Sequence, residues 1–261
     1  MKNIFVESHR GMCAFYPENT MISFDAALNI DADAFEFDVW LTKDKVPVIM
    51  HDCSPKRTCG VEGDIRQMTL EEVKKLNPYA PLNFGDKFKD VGLTIPTLEE
   101  LLILCKTKKP SVRLGVEIKD YTEECVDATV KLLKQYGFFD DCWFYAFNGR
   151  IIRYLKEKHC GRTMGYPDFQ MGEFDGYDAY DEIGISMNVV KSEVFEIFAK
   201  KGLPMHLFCA DTKEDVELCI AKGASLITAN NPLPLIELVK GITYPDRTFG
   251  EPKLNAAARL G

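Results

Sequence analysis

Eight short β-rich runs alternate with helical runs along the chain, and this rhythm limits the fold more than any other feature. The strand-like runs are IFVES, AFEFDVW, RLGVEIK, CWFYAF, RTMGY, EIGISMN, PMHLFCA and SLITAN. Between them lie amphipathic segments such as NTMISFDAALNI, LEELLILCK, ECVDATVKLLKQYG and KEDVELCIAKGA. A helix between two strands returns the chain to the edge it left, so successive strands run parallel. Eight such units within 261 residues predict an α/β protein with the (β/α)8 barrel architecture. A doubly wound open sheet is the alternative. No Pro/Gly/Ser-rich linker and no low-complexity tract interrupts residues 1–261, so a single domain is expected.

Two stretches break the rhythm. Residues 53–95 are long for a strand-to-helix connection. They carry a short helical run, TLEEVKKL, and the turn-rich NPYAPLNFGD, and they read as an insertion beside the barrel mouth. Residues 167–181, PDFQMGEFDGYDAYD, are acidic and aromatic. They predict a loop or short turn where a full helix would otherwise stand.

Charge narrows the partners. The formal net charge is −8, and Lys and Arg form no stripe or cluster. Nucleic acid and anionic membrane surfaces both need a concentrated basic face, so neither is expected as a partner. Nine cysteines without a CxxC pair read as buried thiols in a reducing cytoplasm. The start MKNIFVESHRG has no apolar core of the signal-peptide kind, and no stretch reaches the length of a membrane span. A cytoplasmic protein without a stable membrane anchor is expected, its oligomeric state left open.

Candidate chemistry sits where the strands end. In FEFDVW, side chains alternate, so Glu36 and Asp38 share one face while Phe35, Phe37 and Val39 share the other. The two carboxylates stand roughly 6–7 Å apart along the strand. In a partly dry barrel mouth they repel unless one is protonated or a cation lies between them. The first strand ends in His9 and Arg10, the run PVIMHD in His51 and Asp52, and RLGVEIK in Glu117 and Lys119. Glu117 adds a third carboxylate. An all-oxygen set of this kind suits one hard divalent cation, Mg²⁺ or Ca²⁺. Each motif taken singly also has a plain reading, as a solvent-facing acid, a Glu117–Lys119 pair or a polar loop histidine; their coincidence at neighbouring strand ends favours a site. His206 reads as a hydrogen-bonded core histidine, His159 as a surface or helix-capping group, and Cys13 and Cys53 as incidental thiols.

HRG, then PENT, then FEFDVWLTKDKVPVIMHD, then EIK resemble, in that order, the glycerophosphodiester phosphodiesterase family. The resemblance implies a TIM barrel with a small insertion after the HD motif. It implies metal-dependent cleavage of a small-molecule glycerophosphodiester to glycerol 3-phosphate and an alcohol. By the same resemblance, Glu36, Asp38 and Glu117 are metal ligands, His9 and His51 are the general acid/base pair, and Arg10 and Lys119 contact the phosphate. His9 is assigned the base role and His51 the acid role. Three departures stand out. The loop between HRG and PENT is MCAFY, and the last strand ends ITANNP where the family commonly has an Ile-Thr-Asp pattern. The chain also has FCAD where the family commonly has WTVN, which makes Phe208 the counterpart of the Trp on the substrate side. Two alternatives remain. One is a lysophospholipase D-like lipid phosphodiesterase whose apolar rim would be Phe15, Tyr16, Phe169 and Phe174. The other is a non-catalytic phosphate-binding barrel.

Overall fold

A computed structural model describes residues 4–171, 177–245 and 249–250. Nine strands are found among them: β1 (Phe5–Ser8), β2 (Ala34–Leu41), β3 (Pro47–Ile49), β4 (Arg113–Ile118), β5 (Cys142–Tyr145), β6 (Thr163–Gly165), β7 (Glu182–Ser186), β8 (Met205–Phe208) and β9 (Leu226–Ala229). Eight of them pair in parallel, and β1 pairs with both β9 and β2. That double pairing closes the sheet. The protein is therefore a (β/α)8 barrel and not the doubly wound open sheet. β3 stands outside the ring, antiparallel to β2, and corresponds to the extended run before His51.

The two faces of β2 separate as its alternation requires. Phe35 and Phe37 point outward and meet Phe24 of the helix Met21–Leu28, with ring centroids 5.2 and 6.3 Å away. Glu36 and Asp38 point into the barrel. The parallel register sets Asp38 directly opposite Glu117 of β4. The helix Met21–Leu28 is capped by Thr20, whose side chain accepts from the Ser23 amide. Asn19, the residue before that cap, turns to the site instead, its Nδ2 donating to Asp38 Oδ2.

The insertion folds as short pieces: helices Lys56–Cys59, Leu70–Val73 and Pro81–Phe84, and a 3₁₀ turn Ile65–Gln67. Thr69 and Glu72 close a reciprocal capping box on the second helix. Val48, Met50, Cys59, Ile65, Val73, Leu76 and Ile95 bury a small core of their own, apart from the main core between barrel and helices. The acidic stretch forms 3₁₀ turns at Asp168–Gln170 and Tyr177–Ala179; residues 172–176, including Phe174, lie outside the described residues. No helix among the described residues is long and apolar enough to cross a membrane.

Candidate active site

The HRG turn begins where β1 ends. Gly11 has φ +78°, and a Cβ there would lie 2.5 Å from Ser23 Oγ and 2.7 Å from the Ser23 carbonyl carbon. Only glycine lets this turn pack on the start of the helix Met21–Leu28. Arg10 is also left-handed, at φ 50°, an uncommon state for a residue with a side chain. Its N–H donates to Glu36 Oε2 at 3.1 Å, and its carbonyl accepts from the Asn19 amide and from Ser23 Oγ, both at 3.1 Å.

Glu36, Asp38 and Glu117 converge at the C-terminal mouth, with one oxygen of each within 4.8 Å of the others. All three are buried. Lys119 Nζ lies 2.6 Å from Glu117 Oε1 and 3.4 Å from Asp38 Oδ1. Arg10 Nε lies 3.3 Å from Asp38 Oδ2, and Asn19 Nδ2 donates to that oxygen at 2.7 Å. Glu36 Oε1 is buried without a hydrogen-bond partner. Burial, and after it the neighbouring Asp38, push the Glu36 carboxyl well above its ordinary range. Burial acts the same way on Asp38, but His51, Lys119 and Arg10 outweigh it and hold that carboxyl down. A proton or a cation at the orphaned oxygen relieves this conflict. The donors are all hard oxygens, so the residues present fit a divalent cation.

The two histidines are held by their Nδ1 atoms. His9 Nδ1 lies 2.7 Å from Asn230 Oδ1. Asn230 is fixed in turn by Asp211, which accepts from its backbone N–H at 2.7 Å and from its Nδ2 at 2.9 Å. The amide oxygen must therefore face His9, and an amide oxygen only accepts. His9 thus carries its proton on Nδ1, leaving Nε2 bare, 3.7 Å from Glu36 Oε2. Burial, and then Arg10, push the His9 imidazole down to about 3, so it is neutral. His51 Nδ1 lies 2.7 Å from Asp52 Oδ1, and its Nε2 is buried without a partner. Trp40, the last residue on the acidic face of β2, fixes the His51 carbonyl through Nε1 at 3.0 Å.

A pocket opens beside these groups. His9, Glu36 and Glu117 line it, together with the adjoining rings of Phe147, Tyr166 and Phe208. Phe147 stacks flat on Tyr166 with centroids 3.6 Å apart, and Phe208 meets Tyr166 edge-on at 5.7 Å. His206 is buried and lines the same pocket, paired through Nε2 with Glu182, which also accepts from Trp143 Nε1. It is a core histidine. His159 meets Asp127 at 2.7 Å, outside the site.

The structure thus brings His9, Arg10, Glu36, Asp38, His51, Glu117, Lys119 and Phe208 to one end of the barrel. The proposed rim is corrected in part. Phe15 is buried against Phe249 and belongs to the core, and Tyr16 packs on Phe88 of the insertion. Phe169 remains exposed. Sequence reasoning gave no role at the site to Glu18, Asn19, Asp52, Arg57, Asp211 or Asn230. Glu18, Asn19 and Asp52 stand inside the PENT and HD motifs, and that was the available signal.

Imidazole Nε2 atoms without hydrogen-bond partners beside a carboxylate cluster with an unmet need for positive charge suit a barrel enzyme acting on an anionic substrate. Residues 9–233 match the glycerophosphoryl diester phosphodiesterase family. A glycerophosphodiester phosphodiesterase of Caldanaerobacter subterraneus subsp. tengcongensis is 32% identical over 250 residues, covering 92% of this chain and 99% of the relative. A solved Oleispira antarctica phosphodiesterase, in complex with the product sn-glycerol-3-phosphate, superposes with a TM-score of 0.76 at 24% identity over 91% of this chain and 97% of that one. The glycerophosphodiester phosphodiesterase of Agrobacterium tumefaciens gives 0.70 at 23% identity, over 88% and 97% of the two chains. The chain belongs to the glycerophosphoryl diester phosphodiesterase family, and it is a phosphoric diester hydrolase. That family is generally dependent on a divalent metal, and this chain carries a matching acidic cluster.

Proposed function

We propose that the protein hydrolyses glycerophosphodiesters to glycerol 3-phosphate and an alcohol, with Glu36, Asp38 and Glu117 holding one divalent cation, Mg²⁺ or Ca²⁺. The observation that carries this reading is the convergence of those three carboxylates beside two histidines whose Nε2 atoms are free for proton transfer. When bound, the cation supplies Lewis-acid stabilisation of the charge that builds on the phosphoryl oxygens.

The side chains do the rest. Arg10 offers its unpaired Nη2 to a phosphate oxygen, and Lys119 offers a point charge, since both are tethered by carboxylates at the mouth. His9 is the base. Its Nδ1–H is locked on Asn230 and burial keeps the ring neutral, so Nε2 takes the nucleophile's proton. His51 is the acid. Asp52 at Nδ1 stabilises the charged ring, and Nε2 gives its proton to the leaving alkoxide. The bond to the alcohol breaks, the alcohol leaves neutral, and solvent returns the proton from His9 to His51. Phe208, with Phe147 and Tyr166, forms the apolar wall of the substrate cavity. Residues 1–261 act as one phosphodiesterase domain with 53–95 as its insertion. A cytoplasmic setting accords with nine free cysteines, most of them buried.

The test is a panel of glycerophosphodiesters assayed with Mg²⁺, Ca²⁺ and Mn²⁺ in turn. Glycerol 3-phosphate is the expected product in every active combination. Release of a phosphorylated head group would place the broken bond on the other side of phosphorus. Full turnover after chelation would overturn the metal assignment.

A further inference from the structure

Arg57 has no part in the mechanism above, yet its guanidinium joins two limbs of the site. On one side, Nε donates to Asp52 Oδ2 at 2.6 Å, and the other Asp52 oxygen lies 2.7 Å from His51 Nδ1. On the other side, Nη1 and Nη2 donate to the two Glu18 oxygens at 2.7 and 2.8 Å. Glu18 Oε1 also accepts from Arg10 Nη1 at 3.1 Å. The chain His51–Asp52–Arg57–Glu18–Arg10 therefore runs unbroken from the acid to the phosphate-binding cation.

Each link comes from a different part of the fold. Glu18 is in the loop before the helix Met21–Leu28, Asp52 follows β3, and Arg57 sits on the helix Lys56–Cys59 of the insertion. An arginine that merely anchored the insertion would need one carboxylate. Arg57 instead spends its whole planar fork on two, and both point onward to site residues. Glu18 is buried, and although burial alone would raise its carboxyl, Arg10 and Arg57 hold it down to about 2. It is thus a fixed negative charge shared by two guanidinium groups.

We propose that Arg57 is a positioning residue that sets the His51 ring through Asp52 and the Arg10 fork through Glu18, so that one side chain of the insertion couples acid catalysis to phosphate binding. This rests on the roles given to His51 and Arg10 above.

The limbs can be cut separately. With glycerophosphocholine as substrate, Asp52→Asn should lower kcat about tenfold or more with KM little changed. Glu18→Gln should raise KM about tenfold with kcat nearly intact. Arg57→Gln should do both. Arg57→Lys, whose ammonium lacks the fork, should recover one parameter and not the other. Imidazole NMR supplies a readout independent of turnover: the hydrogen-bonded His51 Nδ1–H signal should shift or broaden in Arg57→Gln and persist in Glu18→Gln. Folded Arg57→Gln with wild-type kcat, KM and His51 signal would overturn the proposal, as would full recovery of both parameters by Arg57→Lys. If Arg57→Gln does not fold, Asp52→Asn and Glu18→Gln decide: changes in the same parameter, or in neither, refute the coupling. Parallel His51→Ala and Arg10→Ala variants separate the two failures. Wild-type kinetics in those would remove the assigned roles, while the NMR arm still reports whether Arg57 orders the ring.

Discussion

At the residue scale, the proposed roles divide the site into groups that move protons and groups that hold charge, and substitution should tell them apart. His9→Ala or His51→Ala is expected to lower kcat by about 10²–10⁴ while the protein still binds Mg²⁺ or Ca²⁺ by titration calorimetry. Glu36→Ala is expected to do the reverse first: cation affinity falls, and turnover falls with it unless the cation is raised. Loss of cation binding in the histidine variants would mean that they are ligands and not acid and base. Three of the residues that sequence reasoning left without a role at the site share a physical property. Asn230, Asp211 and Arg57 touch neither the acidic cluster nor the open cavity wall; they act through hydrogen bonds to residues more than a hundred positions away or in another element. Their spacing in the chain carries no trace of this.

At the element scale, β2 and the HRG turn do most of the placing. Alternation along β2 sends Phe35 and Phe37 into the helix layer and Glu36 and Asp38 into the barrel, and a one-residue slip would exchange the two sets. That part was legible in FEFDVW itself. The turn was legible only as a motif. Its reason is steric, because a Cβ on Gly11 would meet the Ser23 backbone at 2.7–2.8 Å with φ at +78°. Gly11→Ala should destabilise the protein by about 1–3 kcal/mol and raise KM, because the turn that carries Arg10 must shift. Denaturant midpoints and steady-state kinetics on the same sample check both. A stability loss with unchanged KM would show that Arg10 does not depend on the turn. The rim illustrates the opposite limit. Phe15 and Phe169 look alike in sequence, and packing alone decided that one is core and the other exposed.

At the scale of the whole molecule, barrel closure concentrates charge in a dry place, and pH should reveal it. Burial alone would raise the Glu18 carboxyl, but Arg10 and Arg57 outweigh it and hold it at about 2 against an ordinary 4.5. Its contribution to stability is fully present above pH 4.5 and is lost as pH falls toward 2. Burial holds His9 at about 3 against 6.5, so the unfolded chain takes up that proton first and stability also declines from pH 6.5 down to 3. Both groups act in the same direction. These two groups should lower the melting temperature below pH 6.5, against the raised Glu36 carboxyl, which acts in the opposite direction, and Glu18→Gln should flatten the segment below pH 4.5. An identical acid limb in that variant would show that Glu18 carries no paired charge in the fold.

The sequence by itself determined the repeat of eight strand–helix units, the faces of β2 and β4, and the motif residues proposed to carry chemistry. These follow from local periodicity and from residue type, which are written along the chain. Tertiary structure decided that the sheet closes, through pairing of β1 with both β2 and β9. It also set Asp38 beside Glu117 in register, buried Phe15, and recruited Arg57, Asp211 and Asn230 to hold the histidines. Those outcomes depend on contacts between distant segments, and only the packed molecule brings such segments within hydrogen-bond reach.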